Sequence, residues 1–224
     1  MTPIAHIETL YKTKFGVPRQ AGLVAAPARV VFEPEYRVPE AVRGLEEFDY
    51  VWLIWQFHLV EREGWSPTVR PPRLGGNKRV GVFATRSPFR PNPIGLSSVR
   101  LLKVTFENDG PILYVEGADL VDGTPIYDIK PYLPYADSHP DARSGFAPTR
   151  PDAALHVEVA PELLERLPKE LHKPLIETLM HDPRPHYQHD ADRLYGMVFD
   201  RWEIRFRVDG DTLQVVDALL NNVN

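Results

Sequence analysis

Apolar and polar residues alternate along much of the chain, and the alternation sets out its elements. Residues 3–10 (Pro-Ile-Ala-His-Ile-Glu-Thr-Leu) have this pattern and predict a strand. Residues 48–58, rich in aromatic and β-branched side chains, predict a buried strand. Between them, residues 39–47 predict one or two helical turns opened by Pro39. A short strand is expected at 79–84. Two more are expected at 95–106 and 111–118, around Asn108-Asp109-Gly110, where Asn and Gly tolerate the positive φ of a hairpin turn. Short strands at this spacing suit a barrel or a sandwich. The texture changes near residue 137, and residues 137–152 read as a linker or long surface loop. Leucines then recur at helical spacing over 161–180, interrupted by Pro168 and Pro174, which predicts two short helices. Alternation returns with Trp202, Ile204, Phe206 and Val208. Asp209-Gly210 forms a turn, and residues 212–216 run back. The chain thus divides into a β-rich domain at 1–138 and a small α+β domain at 152–224.

Composition refines this picture. The 224 residues include 23 prolines and no cysteine. Average usage would give roughly 11 prolines at this length, so the excess disfavours long helices. Without cysteine there is no disulfide framework, no thiolate nucleophile and no Cys-ligated metal. No apolar run reaches the length of a membrane span, and the N-terminus lacks a basic region followed by an apolar one, so a soluble cytoplasmic protein is expected. The net charge of −5 conceals an uneven distribution. Residues 64–103 hold Arg70, Arg73, Lys78, Arg79, Arg86, Arg90, Arg100 and Lys103, and no acid. Such a stretch is a candidate surface for phosphate or another anion.

Three segments have compositions that packing alone does not call for. Lys14-Phe15-Gly16-Val17-Pro18-Arg19-Gln20 sets cations, an amide and a glycine in a loop. Residues 79–98 (RVGVFATRSPFRPNPIGLSS) contain Pro88, Pro91 and Pro93, which stiffen a segment presenting Arg86, Ser87, Arg90 and Asn92. Residues 119–132 (DLVDGTPIYDIKPY) gather Asp119, Asp122, Asp128, Lys130, Tyr127 and Tyr132 beside apolar positions. Each segment also has a plain reading, as a strand connection, a rigid crossover or a salt-bridged hairpin.

Taken together, and in this order, the three segments resemble the TrmO (YaeB/TsaA-like) family. Phe57-His58, Asp182-Pro183-Arg184-Pro185-x-Tyr187 and Tyr195-Gly196-Met197 extend the resemblance over nearly the whole chain. The resemblance implies a mainly β fold: an N-terminal single-sheet β-barrel, not a Rossmann domain, followed by a small C-terminal α+β domain. The sequence is compatible with that, since no G-x-G-x-x-G follows a strand. It also implies an S-adenosylmethionine-dependent tRNA adenine-N6 methyltransferase acting on N6-threonylcarbamoyladenosine beside the anticodon. A homodimer is implied, with the cofactor near the subunit interface. The implied cofactor contacts are Pro18, Arg19, Gln20, His58, Leu59, Arg86, Leu96, Asp122, Gly123, Thr124 and Pro125. Arg86 suits the cofactor carboxylate and Asp122 its ammonium or ribose. Asp128 and Tyr132 are candidate proton acceptors, and Lys130 is a candidate to polarise the urea carbonyl. Arg90, Asn92, Arg184 and Tyr187 are candidates for substrate or tRNA contact, and either Arg90 or Arg184 could take the threonyl carboxylate. No metal is expected: methyl transfer from a sulfonium needs no Lewis acid, and prolines interrupt the 181–189 histidines. The competing readings are a non-catalytic barrel that binds a nucleotide or RNA and, less well supported, a β-barrel hydrolase, which lacks G-x-S-x-G.

Overall fold

The computed structural model describes residues 1–60, 64–107, 110–149, 154–184 and 190–221. Strands β1 (Ala5–Glu8), β2 (Pro27–Phe32), β3 (Tyr50–Gln56), β4 (Thr68–Val69), β5 (Val80–Gly81), β6 (Ile94–Glu107), β7 (Gly110–Glu116) and β8 (Thr124–Pro131) occupy the first part of the chain. Helix α1 (Pro134–Asp137) follows. Then come β9 (His156–Val159), α2 (Pro161–Leu164), α3 (Lys169–Met180), β10 (Tyr195–Phe199), β11 (Trp202–Asp209) and β12 (Thr212–Leu220).

Six strands close into an antiparallel barrel in the order β1-β2-β7-β6-β3-β8, with β1 pairing both β2 and β8. Alternation supplies the inner wall. On β3, Val51, Leu53 and Trp55 face inward, at 0%, 0% and 5% exposure, while Trp52, Ile54 and Gln56 face out. The strand expected to be buried is therefore buried on one face, as an antiparallel barrel strand should be. The 14 residues of β6 pair β3 first and then β7, and a register shift at Leu101/Lys103 lets the strand bend between partners.

Two sequence expectations change. The strand expected at 79–84 pairs only over Val80–Gly81, against β4, and then tightens into a 3-10 turn at Val82–Ala84. Closure explains this: β3 already has β6 and β8 as neighbours, so the barrel offers no edge for a further strand. The helix break at 161–180 falls only at Pro168; Pro174 lies inside α3, on its buried face. A proline there forfeits one backbone hydrogen bond. The same helix buries Leu171, Leu175 and Leu179 against the sheet, which offsets that loss.

The second core lies between α3 and the sheet β10-β11-β12-β9, in which β9 runs parallel to β12. It also takes in Tyr11, Leu23, Val24 and Ala26, from the connection between β1 and β2. That connection is pinned along its length. Tyr11 bridges to Phe199, and its hydroxyl lies 3.2 Å from that of Thr178. The Ala25 N–H donates to Glu177 at 2.8 Å, and His181 Nε2 lies 3.2 Å from the Leu23 carbonyl. The loop carrying the first motif is thus held between the two cores.

Candidate active site

Local backbone chemistry places the three motifs. Gly16 has φ 96°, a left-handed value that favours glycine, and a Cβ there would strike the side chain of Met197. The glycine therefore seats the first motif against the second sheet. Pro18 is buried beyond it, and the Arg19 guanidinium donates to the Asp182 carbonyl at 3.2 Å. In the second motif, Arg90 Nη1 donates to the Thr85 carbonyl at 2.7 Å, bracing the proline-rich turn from within. Arg86 remains exposed and donates to the Gln20 side-chain oxygen, which joins the second motif to the first. Gly95 sits opposite Trp55 across the β3–β6 ladder, and the indole occupies the space that a Cβ would need.

These placements open a cleft of about 390 Å³ at the barrel wall. Gln20 comes from the loop, Arg86 from the proline-rich segment, Trp52 from β3, Leu96 and Ser97 from β6, and Tyr132 from just past β8. One wall is aromatic: the Tyr132 ring lies 5.7 Å from Trp52 and 6.2 Å from Tyr50. Asp137 fixes that wall, accepting the Trp52 indole N–H at 2.9 Å and the Leu133 N–H at 2.8 Å. The Leu133 N–H and the indole hold its carboxyl below the usual range.

A polar relay runs beneath the cleft. The Trp55 indole N–H donates to Ser97 Oγ at 2.9 Å, and the Ser97 hydroxyl donates to Asp119 at 2.5 Å. Burial pushes the Asp119 carboxyl above the usual range, against the opposing pull of Ser97, the Ala21 N–H and the charge of Arg86. Asp119 opens the third motif but received no individual role from the sequence. The only signal there was its place in an acid-rich run.

The other candidates fall around the cleft. Asp128, Lys130 and Tyr132 alternate on one face, the first two cross-strand from Ile54 and Trp52. Tyr132 lines the cleft, whereas Asp128 and Lys130 flank it and pair with each other at 2.9 Å. Asp122, Gly123, Thr124 and Pro125 do not line it. Asp122 pairs with Lys12 at 2.9 Å and accepts the Thr9 N–H at 2.8 Å; Thr124 is buried at the start of β8. His58 and Leu59 follow β3. Burial, assisted by the charge of Lys14, keeps the His58 imidazole below its usual pKa. Asn92 is exposed. Arg184 is only 8% exposed, and Asp182 takes its guanidinium through two hydrogen bonds of 2.9 and 3.0 Å. Its charge is therefore engaged inside the protein rather than offered to RNA. Tyr187, His186 and His189 lie outside the described residues. Among the described residues, no group of three His, Asp or Glu side chains is placed to hold a metal.

A closed antiparallel barrel with a cationic, aromatic-walled cleft on its wall and, among the described residues, no glycine-rich βα turn defines a barrel fold outside the Rossmann class. The tRNA-methyltransferase O N-terminal domain matches residues 6–138, and the TrmO C-terminal domain matches residues 152–220. The chain belongs to the TrmO family. It is 46% identical over 214 residues to the tRNA (adenine(37)-N6)-methyltransferase of Escherichia coli K12, covering 92% of this chain and 91% of that one. It is 43% identical over 207 residues to a putative S-adenosylmethionine-dependent methyltransferase, RcsF, of Pseudomonas aeruginosa, covering 88% and 87% of the two chains. The crystal structure of TrmO from Pseudomonas aeruginosa superposes with a TM-score of 0.79 at 33% identity, over 97% of this chain and 96% of the other.

Proposed function

We propose that this protein methylates N6 of N6-threonylcarbamoyladenosine beside the anticodon of tRNA, using S-adenosylmethionine. The observation that carries the reading is the meeting of three motifs, distant in sequence, in one cleft on a barrel of this family. Its residues fit the cofactor. The volume lies within the ~300–1,000 Å³ typical of small-molecule sites. Arg86 offers a guanidinium for a carboxylate, Gln20 holds that guanidinium in place, and Trp52 with Tyr132 offers ring faces to an adenine or a sulfonium. S-adenosylmethionine, when bound, supplies an electrophilic methyl group on its sulfonium.

The protein's own work is alignment and proton removal. The acceptor nitrogen belongs to a urea-like group and is a poor nucleophile until its proton leaves. In this reading Tyr132, which lines the cleft, or Asp128, on the same face, takes that proton, and Lys130, paired with Asp128, polarises the urea carbonyl. Arg90 has its guanidinium committed to the backbone, and Asn92 stands exposed beside it as a contact for the RNA. A homodimer with the cofactor near its interface belongs to the same reading. It is supported by the separation of the expected contacts between this cleft and the 122–125 turn, which a second copy would complete. A cytoplasmic setting follows from a tRNA substrate; among the described residues, no helix is long and apolar enough to cross a membrane.

Single-turnover transfer to tRNA at saturating cofactor tests the roles. Asp128→Asn or Tyr132→Phe should slow transfer by about 10²–10⁴-fold. Near wild-type rates in both would sink the assignment. Nucleoside mass spectrometry of tRNA from a knockout strain tests the substrate: unchanged levels of the methylated nucleoside would refute it. Absence of a thermal shift with either S-adenosylmethionine or S-adenosylhomocysteine would favour a non-catalytic barrel instead.

A further inference from the structure

The segment between β3 and β6 carries exposed aromatic rings that no role described so far uses. Trp65 and Phe83 are 48% and 70% exposed, yet they stack on each other with centroids 6.1 Å apart and planes 23° from parallel. Folded chains normally bury such large side chains, and an exposed parallel pair is a surface for another flat ring. The pair is held in place. Thr68 and Val69 pair with Gly81 and Val80, bringing the two ends of the segment together. Val82, next to Phe83, is fully buried. The guanidinium of Arg90 lies 5.8 Å from the Phe83 centroid, above its face.

The surroundings select the partner. Residues 64–103 have eight basic residues and no acid, so the patch is matched in charge to a polyanion. Arg70, Lys78 and Arg79 are exposed on this same segment. Stacked aromatics within a basic surface are the means by which proteins hold unpaired RNA bases. The platform is also near the cleft: Phe83 and Arg86 are three positions apart in the chain, a span of at most about 11 Å.

We propose that Trp65 and Phe83 form a stacking platform for an unpaired base of the RNA substrate, next to the nucleotide that enters the cleft. This rests on the tRNA reading above. The test uses the full-length protein with an anticodon stem-loop RNA, followed by fluorescence anisotropy over a salt series, calorimetry with S-adenosylmethionine, and sedimentation equilibrium. Trp65→Ala and Phe83→Ala should each weaken RNA binding roughly 5- to 100-fold. The slope of log affinity against log salt should stay unchanged, because no phosphate contact is lost. Cofactor affinity should hold, and Trp65→Tyr should restore most of the binding. If the alanine variants bind RNA like the wild type while the wild type methylates tRNA, the platform is refuted and the function stands. If they shift the monomer–dimer equilibrium and leave RNA affinity intact, the patch is a contact between copies and the proposal fails. A wild type that neither binds the stem-loop nor methylates tRNA overturns the functional reading and the platform with it.

Discussion

Replacing Gly95 by alanine should distort the barrel wall and the cleft together. A Cβ at Gly95 would stand 2.6 Å from Trp55 Cδ2 and closer still to Cε2 and Cζ2. Ordinary contact begins at 3.4 Å, so the ring must withdraw by close to 1 Å. The backbone has little room to yield, because β3 and β6 are paired continuously from Tyr50↔Arg100 to Gln56↔Ile94. The indole is 5% exposed and packs against Phe57 at 4.3 Å, so it has nowhere to go without disturbing the core. Overpacking of this kind costs about 1–3 kcal/mol. Moving the ring also breaks the 2.9 Å bond to Ser97, worth about 1 kcal/mol. The sum, about 2–4 kcal/mol, should lower Tm by about 4–16 °C for a chain of this size. Ser97 would lose its fixed donor and Asp119 its ordered partner, so cofactor binding should weaken as well. Scanning calorimetry and titration with S-adenosylmethionine read both effects. A Tm within 2 °C of wild type and an unchanged cofactor affinity would refute the reasoning.

Three further outcomes are expected. Arg86→Ala should weaken S-adenosylmethionine binding by about 10- to 100-fold while leaving Tm nearly unchanged, since the side chain is exposed; calorimetry that finds wild-type affinity would exclude it as the carboxylate partner. Asp119 should give stability a pH dependence of predictable sign. Its folded pKa is raised, so the stability it contributes is complete below its ordinary value of 3.8 and is lost as pH rises through the folded value. Asp119→Asn should therefore gain in urea midpoint relative to wild type as pH rises above the ordinary carboxylate value of 3.8, even as cofactor binding falls; parallel curves for the two proteins would argue against a buried carboxyl. Arg184→Ala should destabilise the protein by about 1–3 kcal/mol, because it strips Asp182 of a bidentate partner. RNA affinity of the folded variant should hold, and a selective loss of RNA binding with normal stability would return Arg184 to the RNA surface.

Much of the fold was legible because barrel strands write a period of two into the sequence. Residues 3–10 and 202–208 alternate plainly, whereas residues 48–58 read as a strand from aromatic and β-branched content and residues 95–106 from the turn signal that follows them, with no face assigned. Other elements left weaker marks. In β2, Pro27 opens a stretch of only six residues, too short and mixed for the alternation of Ala28, Val30 and Phe32 to stand out. In β9, four residues flanked by loops pair in parallel with a strand more than fifty residues away, a partner no local pattern reveals. Pro174 looked like a helix breaker because propensity counts the lost N–H but not the hydrophobic face around it.

The candidate site divides in the same way. Gln20, Arg86, Leu96 and Tyr132 were identified from their motifs, and the fold brings them to one cleft. Trp52, Asp119, and the exposed Trp65–Phe83 pair carry no comparable sequence signal, because their significance lies in what stands beside them.

By itself the sequence determined the β-rich class, the helical segment after residue 160, the stiff proline-rich crossover and the basic stretch that carries it. These depend on local periodicity, on φ restriction and on a count of charges, all written in neighbouring residues. Tertiary structure alone decided that the barrel closes, that residues 11–26 join the second core, and that Trp55, Ser97 and Asp119 form a relay under the cleft. Each depends on groups far apart in sequence, from the 22 residues between Ser97 and Asp119 to the 188 between Tyr11 and Phe199, and the contact that joins them exists only after the chain has paid the entropy of closing those loops.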